Sequence, residues 1–171
     1  MQPARRLALL CILSFPGFGS NPESMAWRTA SESELKQIIP ARAPVEKERI
    51  ETEFRTATGI TDGKGRFVAA VLLITAGYSA DGKYSHYFLT QVPLKLGAVE
   101  LKAGEYALGW QRHEESLNVK IYDAQTGKLL GSVDAGRLNR IGRVESFRIY
   151  SPAQRSIIQI GRFGFPYTLT E

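Results

Sequence analysis

From Arg49 to Leu169 the large apolar residues recur at every second position, and this period constrains the fold more than any other feature of the chain. Ile50, Thr52, Phe54 and Thr56 share one face, while Glu51, Glu53 and Arg55 share the other, the pattern of a half-exposed strand. Phe67 to Thr75 (FVAAVLLIT) is apolar on both faces, so the pattern places it centrally in a sheet with cover on each side. Tyr84, His86, Phe88 and Thr90 alternate next, followed by Tyr106, Leu108 and Trp110, then Leu117, Val119 and Ile121. A last set runs through Val144–Tyr150, Ser156–Ile160 and Phe163–Leu169. Turn signals separate the runs at Asp62-Gly63-Lys64-Gly65, Asp81-Gly82, Ala103-Gly104 and Gln125-Thr126-Gly127. The expected fold is all-β: an antiparallel β-sandwich or small β-barrel of about eight or nine strands, preceded by a short N-terminal helix.

That helix is expected over residues 31–39. Ser31 and Glu34 have capping-box spacing, Leu35, Ile38 and Ile39 follow at helical spacing, and Pro40 stops the run. Pro40 to Pro44 (PARAP) reads as a linker or extended arm. Leu94, Leu96, Val99 and Leu101 continue the alternation past Pro93, which favours an edge or a strand start, and Pro166 marks the last run as an edge strand.

Residues 1–26 have the pattern of a secretory signal: Arg5 and Arg6, then a twelve-residue apolar stretch from Leu7 to Phe18, then small residues at Gly17/Gly19 and Ser24/Ala26. The stretch is shorter than the ~20 residues that span a bilayer, so no transmembrane span is expected in the mature chain. Met25 offers an alternative start. Cys11 is preceded by Leu10 and sits inside the apolar run, which is unlike a lipoprotein signal, and cleavage would leave a chain without cysteine. The expected domains are a signal at 1–26, a short helix and linker arm at 27–48, and a single all-β domain at 49–171. The expected location is periplasmic or extracellular.

The full chain carries 22 Lys and Arg against 17 Asp and Glu, a net charge of +5, and loss of Arg5, Arg6 and Glu23 with the signal lowers it by one. This modest excess does not indicate nucleic acid. The four aspartates, Asp62, Asp81, Asp123 and Asp134, each precede a glycine within four positions and are assigned to turns. His86 and His113 are the two histidines, and no H-E-x-x-H, G-x-S-x-G, phosphate-binding or dinucleotide fingerprint is present. No catalytic residue, metal ligand or cofactor is assigned, and an enzyme is the less favoured class. Tyr122 to Lys128 resembles one turn of a quinoprotein-type propeller blade, but it occurs once, and a propeller repeats the unit in every blade.

Two sets of residues remain as candidates for binding. All lysines lie at or before Lys128, and arginines replace them thereafter. Arg137, Arg140 and Arg143 recur at spacing three, which a loop or helical turn would gather into a patch for an anionic envelope component or an envelope protein. Tyr106, Trp110, Phe163 and Phe165 are the aromatic candidates, either packed in the core or lining a site for an apolar or aromatic ligand. The leading expectation is a non-catalytic exported accessory or interaction module of the cell envelope. The alternative is a barrel-like protein that holds a small apolar or aromatic ligand.

Overall fold

The computed structural model describes residues 27–170. The expected export signal lies outside these residues. Ser31 caps the helix as its spacing predicts: its hydroxyl accepts the Glu34 amide, and the Glu34 carboxylate accepts the Ser31 amide. The Arg28 guanidinium and these Ser31 bonds hold the Glu34 carboxyl down to about 2. The chain then runs in the order β1 (Arg28–Thr29), α1 (Glu32–Ile38), β2 (Arg42–Val45), β3 (Glu48–Thr61), β4 (Phe67–Leu73) and β5 (His86–Thr90). A short pair follows, β6 (Leu94–Leu96) and β7 (Val99–Leu101). The remaining strands are β8 (Gly104–Arg112), β9 (Ser116–Asp123), β10 (Leu129–Arg137), β11 (Glu145–Ile149), β12 (Ile157–Gly161) and β13 (Phe163–Leu169).

These strands form one antiparallel sheet in the order β1-β3-β4-β5-β8-β9-β10-β13-β12-β11, with β2 on β3, and β6 bridging β13 and β7. The sheet curls into a half-barrel, and its last strand comes round beside β3, where the Ile149 amide donates to Thr58 Oγ1 at 3.2 Å. The strand count is thirteen, above the expected eight or nine. The excess includes β1 and β2, which are too short to show a period, and the division of the alternating run from Leu94 to Leu101 into β6 and β7.

The run from Phe67 is buried on both faces, as its composition requires. Val68 and Ala70 face the concave side with Phe88, Leu108, Val119, Ile121, Ile158 and Phe165. Ala69, Val71 and Leu73 face the convex side with Tyr87, Leu89 and Ala107. The concave core is closed by the curl of the sheet itself. The convex core is closed by three added pieces: Leu35 and Ile39 of the helix, Ala43 and Val45 of β2, and Ala80 and Tyr84 of the segment between β4 and β5. Residues 27–48 therefore dock on the sheet. Each buried leucine or isoleucine there contributes roughly 1.5–3 kcal/mol relative to exposure.

Two glycines make the close approaches of these cover pieces sterically feasible. Leu35 Cδ2 sits 2.9 Å from where a Cβ on Gly59 would stand. On Gly109 a Cβ would lie 2.1 Å from the Lys83 carbonyl oxygen, so the β4–β5 segment crosses the convex face directly over β8.

Three local expectations are corrected. Pro166 does not mark an edge, because β13 has β12 on one side and β10 followed by β6 on the other. The Pro166 carbonyl accepts the Gly97 amide, so its ring nitrogen faces the gap where β10 leaves and β6 begins, and no ladder bond is lost there. Asp134 is not in a turn but mid-strand in β10, where it accepts from Asn118 Nδ2 across the β9–β10 pair. Tyr84 does not share a strand face with His86, since β5 begins at His86 and Tyr84 belongs to the convex cover. Asp62 and Asp123 do hold turns: Asp62 accepts the Lys64 and Arg66 amides, and Asp123 accepts the Thr126 amide and hydroxyl.

Gly109→Ala is expected to lower stability by about 3 kcal/mol, since the facing atom is backbone that cannot yield by a rotamer change. Gly136→Ala, where a Cβ would meet nothing within 4 Å, serves as the control. Urea unfolding checks both, and equal midpoints for the two variants would contradict the crossing.

Candidate functional site

Alternate strands of the barrel wall run in the same direction, so β8, β10 and β12 end at one rim while β9, β11 and β13 begin there. On each of the three strands that end at this rim, the positions of inward parity are apolar until the last, which is arginine. The series are Tyr106, Leu108, Trp110 and Arg112 on β8, Val133, Ala135 and Arg137 on β10, and Ile158, Ile160 and Arg162 on β12 and its turn. Arg162 is carried by a two-residue hairpin between Ile160 and Phe163, whose first residue, Gly161, has φ of 60°. This left-handed position favours glycine.

The rim encloses a cavity of about 430 Å³. Trp110, Leu117, Ile160 and Phe163 supply apolar lining, Arg112, Arg137 and Arg162 supply charge, and Val144, Ser146 and Gly161 complete the wall. The volume lies in the range of small-molecule sites. Arg112 stands over the Phe163 ring, its guanidinium carbon 5.8 Å from the centroid. Arg137 lies 3.5 Å from the exposed Glu115 carboxylate. Among the described residues, Arg112 and Arg162 make no ion pair, and no carboxylate or imidazole is part of the lining. The chemistry on offer is three guanidinium forks, one hydroxyl and an aromatic floor. Such a set has the chemistry to hold an anionic group beside an apolar body.

Beneath the floor lies a stack of three rings. The His86 imidazole is 4.6 Å from the Phe147 ring at 24° and 5.1 Å from the Trp110 ring at 32°. His86 is 3% exposed; its Nδ1 shares a hydrogen bond of 2.8 Å with Ser85 Oγ, and its Nε2 has no partner among the described residues. Burial pushes the imidazole down to about 4, so it is neutral at physiological pH. It serves as an aromatic shelf under Trp110.

The sequence candidates divide between this site and the core. Arg137, Trp110 and Phe163 line the cavity. Arg140 and Arg143 lie in the loop after β10, outside the lining, and Arg143 sits 3.9 Å from Glu145. Tyr106 is buried with its hydroxyl donating to the Lys102 carbonyl, and Phe165 is 1% exposed in the concave core. Arg112, Arg162, Leu117 and Ile160 are not among the sequence candidates, although the repeated pattern of apolar residue, spacer, arginine at Trp110–Arg112, Ala135–Arg137 and Ile160–Arg162 is readable in the chain. Among the described residues, no three His, Cys, Asp or Glu side chains gather where a metal ion would be held, and no helix is long and apolar enough to cross a membrane.

Burial of His86 in its neutral form makes stability depend on pH. The unfolded chain takes up the proton near pH 6.5 and the folded chain near pH 4, so the contribution is complete above 6.5 and is lost as pH falls toward 4. The loss amounts to about 3 kcal/mol. His86→Phe, which keeps the ring stack, is expected to remove this portion of the pH dependence of the urea midpoint. Superimposable profiles for the two proteins would contradict it.

No family model, no curated protein and no solved structure matches the chain.

Proposed function

We propose that this protein is a non-catalytic binding module that takes a small molecule with an apolar or aromatic body at the mouth of the half-barrel. The observation that carries the reading is the cavity of about 430 Å³ at the rim, floored by Trp110, Leu117, Ile160 and Phe163. Below that floor the concave face is filled by packed side chains, so the site is the mouth and not the interior. Trp110 is the central contact: it is half-buried, it lines the cavity, and the His86 stack beneath it restrains its ring. A restrained aromatic floor binds a flat or flexible apolar body with little ordering cost on the protein side. An export signal at 1–26 would place this module outside the cytoplasm, where it would carry or sense its ligand.

The test is native mass spectrometry of protein recovered from an exporting host, set against its denatured mass. The expected result is an additional mass of small-molecule size that disappears on denaturation and is absent from Trp110→Ala. A Trp110→Ala protein that retains the same additional mass would contradict the site.

A further inference from the structure

The rim bears an unbalanced charge that the proposed function leaves unused. Its three guanidiniums arise independently, from the ends of β8 and β10 and from the β12–β13 hairpin, yet they converge on one apolar cavity. Glu115 is the single carboxylate within ion-pair distance of any of them among the described residues, and it stands beside Arg137 at 3.5 Å with 77% of its side chain exposed. Elsewhere Arg28, Arg42, Arg55, Arg66 and Arg148 each stand against a carboxylate, whereas Arg49, Arg140 and Arg155 have no ion pair among the described residues. What sets the mouth apart is that three guanidiniums share one apolar cavity whose lining holds no carboxylate.

Resting on the binding reading above, we infer that the ligand is a free amphiphilic acid, whose carboxylate or phosphate is gripped by Arg112, Arg137 and Arg162 while its apolar tail or ring lies on Trp110 and Phe163. Charge complementarity supports the acidic head, because guanidinium forks match the oxygens of carboxylate and phosphate with paired hydrogen bonds. Geometry supports the placement. On each strand the arginine follows the last inward apolar residue by two positions, so heads at the rim and tails on the floor satisfy both surfaces at once. The Arg112 guanidinium is already held over the Phe163 ring, which reduces the freedom it would lose on binding. Ser146 adds one hydroxyl to the wall.

Three probes with one tail separate the terms: decanoate, decyl phosphate and decan-1-ol, each below its critical micelle concentration. They are titrated into a Trp27→Phe protein, so that Trp110 is the sole tryptophan reporter. Decanoate or decyl phosphate is expected to bind at least tenfold more tightly than decan-1-ol, a preference that weakens with added salt. The preference between the two acids identifies the head group. Replacement of Arg112 and Arg162 by Gln is expected to cost about tenfold or more on the preferred acid, with no change for decan-1-ol. Lys128→Gln removes one charge from the far end of the β9–β10 hairpin and should leave binding intact. Equal affinity for the alcohol and the acids would overturn the acidic head while leaving the cavity reading in place. Failure of all three probes to bind would overturn both. Co-sedimentation with phosphatidylglycerol vesicles in the absence of binding to the free acids would overturn the free-ligand assignment in favour of a membrane surface.

Discussion

A strand that is apolar on both faces can meet water on neither, and Phe67–Leu73 imposes this condition on the whole molecule. With β5 fully buried alongside it, the sheet needs two covers. The chain supplies them by different means. The concave face is covered by the sheet's own far half, brought round until Ile149 meets Thr58. The convex face is covered by helix, arm and the segment before β5, and the helix and that segment pass so near the sheet that glycine is required beneath them at Gly59 and Gly109. The N-terminal segment is thus part of the structural solution, and its removal would expose the convex core.

The curl also creates the mouth. A closed, layered interior leaves no room for a ligand, but the inward rows of side chains must end somewhere, and here they end in arginine at one rim. Hydrophobic contact fills the rows up to Trp110 and Ile160, and charge begins at the next inward position. The boundary between the two is where a molecule with an apolar body and an acidic head finds both its requirements. The Phe147–His86–Trp110 stack sits directly behind that boundary, and its histidine stays neutral because burial disfavours the charged ring. A charged imidazole there would add a fourth cation and lose its packing, so the depressed titration keeps the floor apolar.

Much of the architecture was legible in the chain because period and punctuation agree. The capping box at Ser31 and the stop at Pro40 locate the helix, and the two-sided apolar run locates the central strand. What was not legible depends on non-local pairing. Nothing in residues 28–29 distinguishes a short strand from a loop, since a two-residue element has no measurable period, and the alternation from Leu94 to Leu101 does not show that the run divides into two paired strands. Pro166 looked like an edge marker because sequence shows the missing amide hydrogen but not that the neighbouring strand changes at that point. Half of the candidate site is legible. Of the cavity lining, Arg137, Trp110 and Phe163 stand among the sequence candidates, while grouping arginines by their spacing along the chain gathers Arg140 and Arg143, which lie outside the lining, and leaves out Arg112 and Arg162. Strands place neighbours by parity and by shared ends, so the informative grouping was the arginine two positions beyond an inward apolar residue.

The central claim is that apolar floor and arginine rim act together on one small acid. The most direct measurement is a nitrogen–proton correlation spectrum of the labelled protein during titration with decanoate, followed at the Trp110 indole and the arginine side-chain resonances. The account predicts that the Trp110 indole and the Nε–H signals of Arg112, Arg137 and Arg162 shift together along one saturating curve, with the Trp27 indole unmoved. Shifts confined to Trp27, which packs in the concave core, or to the convex cover, or arginine shifts that saturate without any response at Trp110, would contradict it.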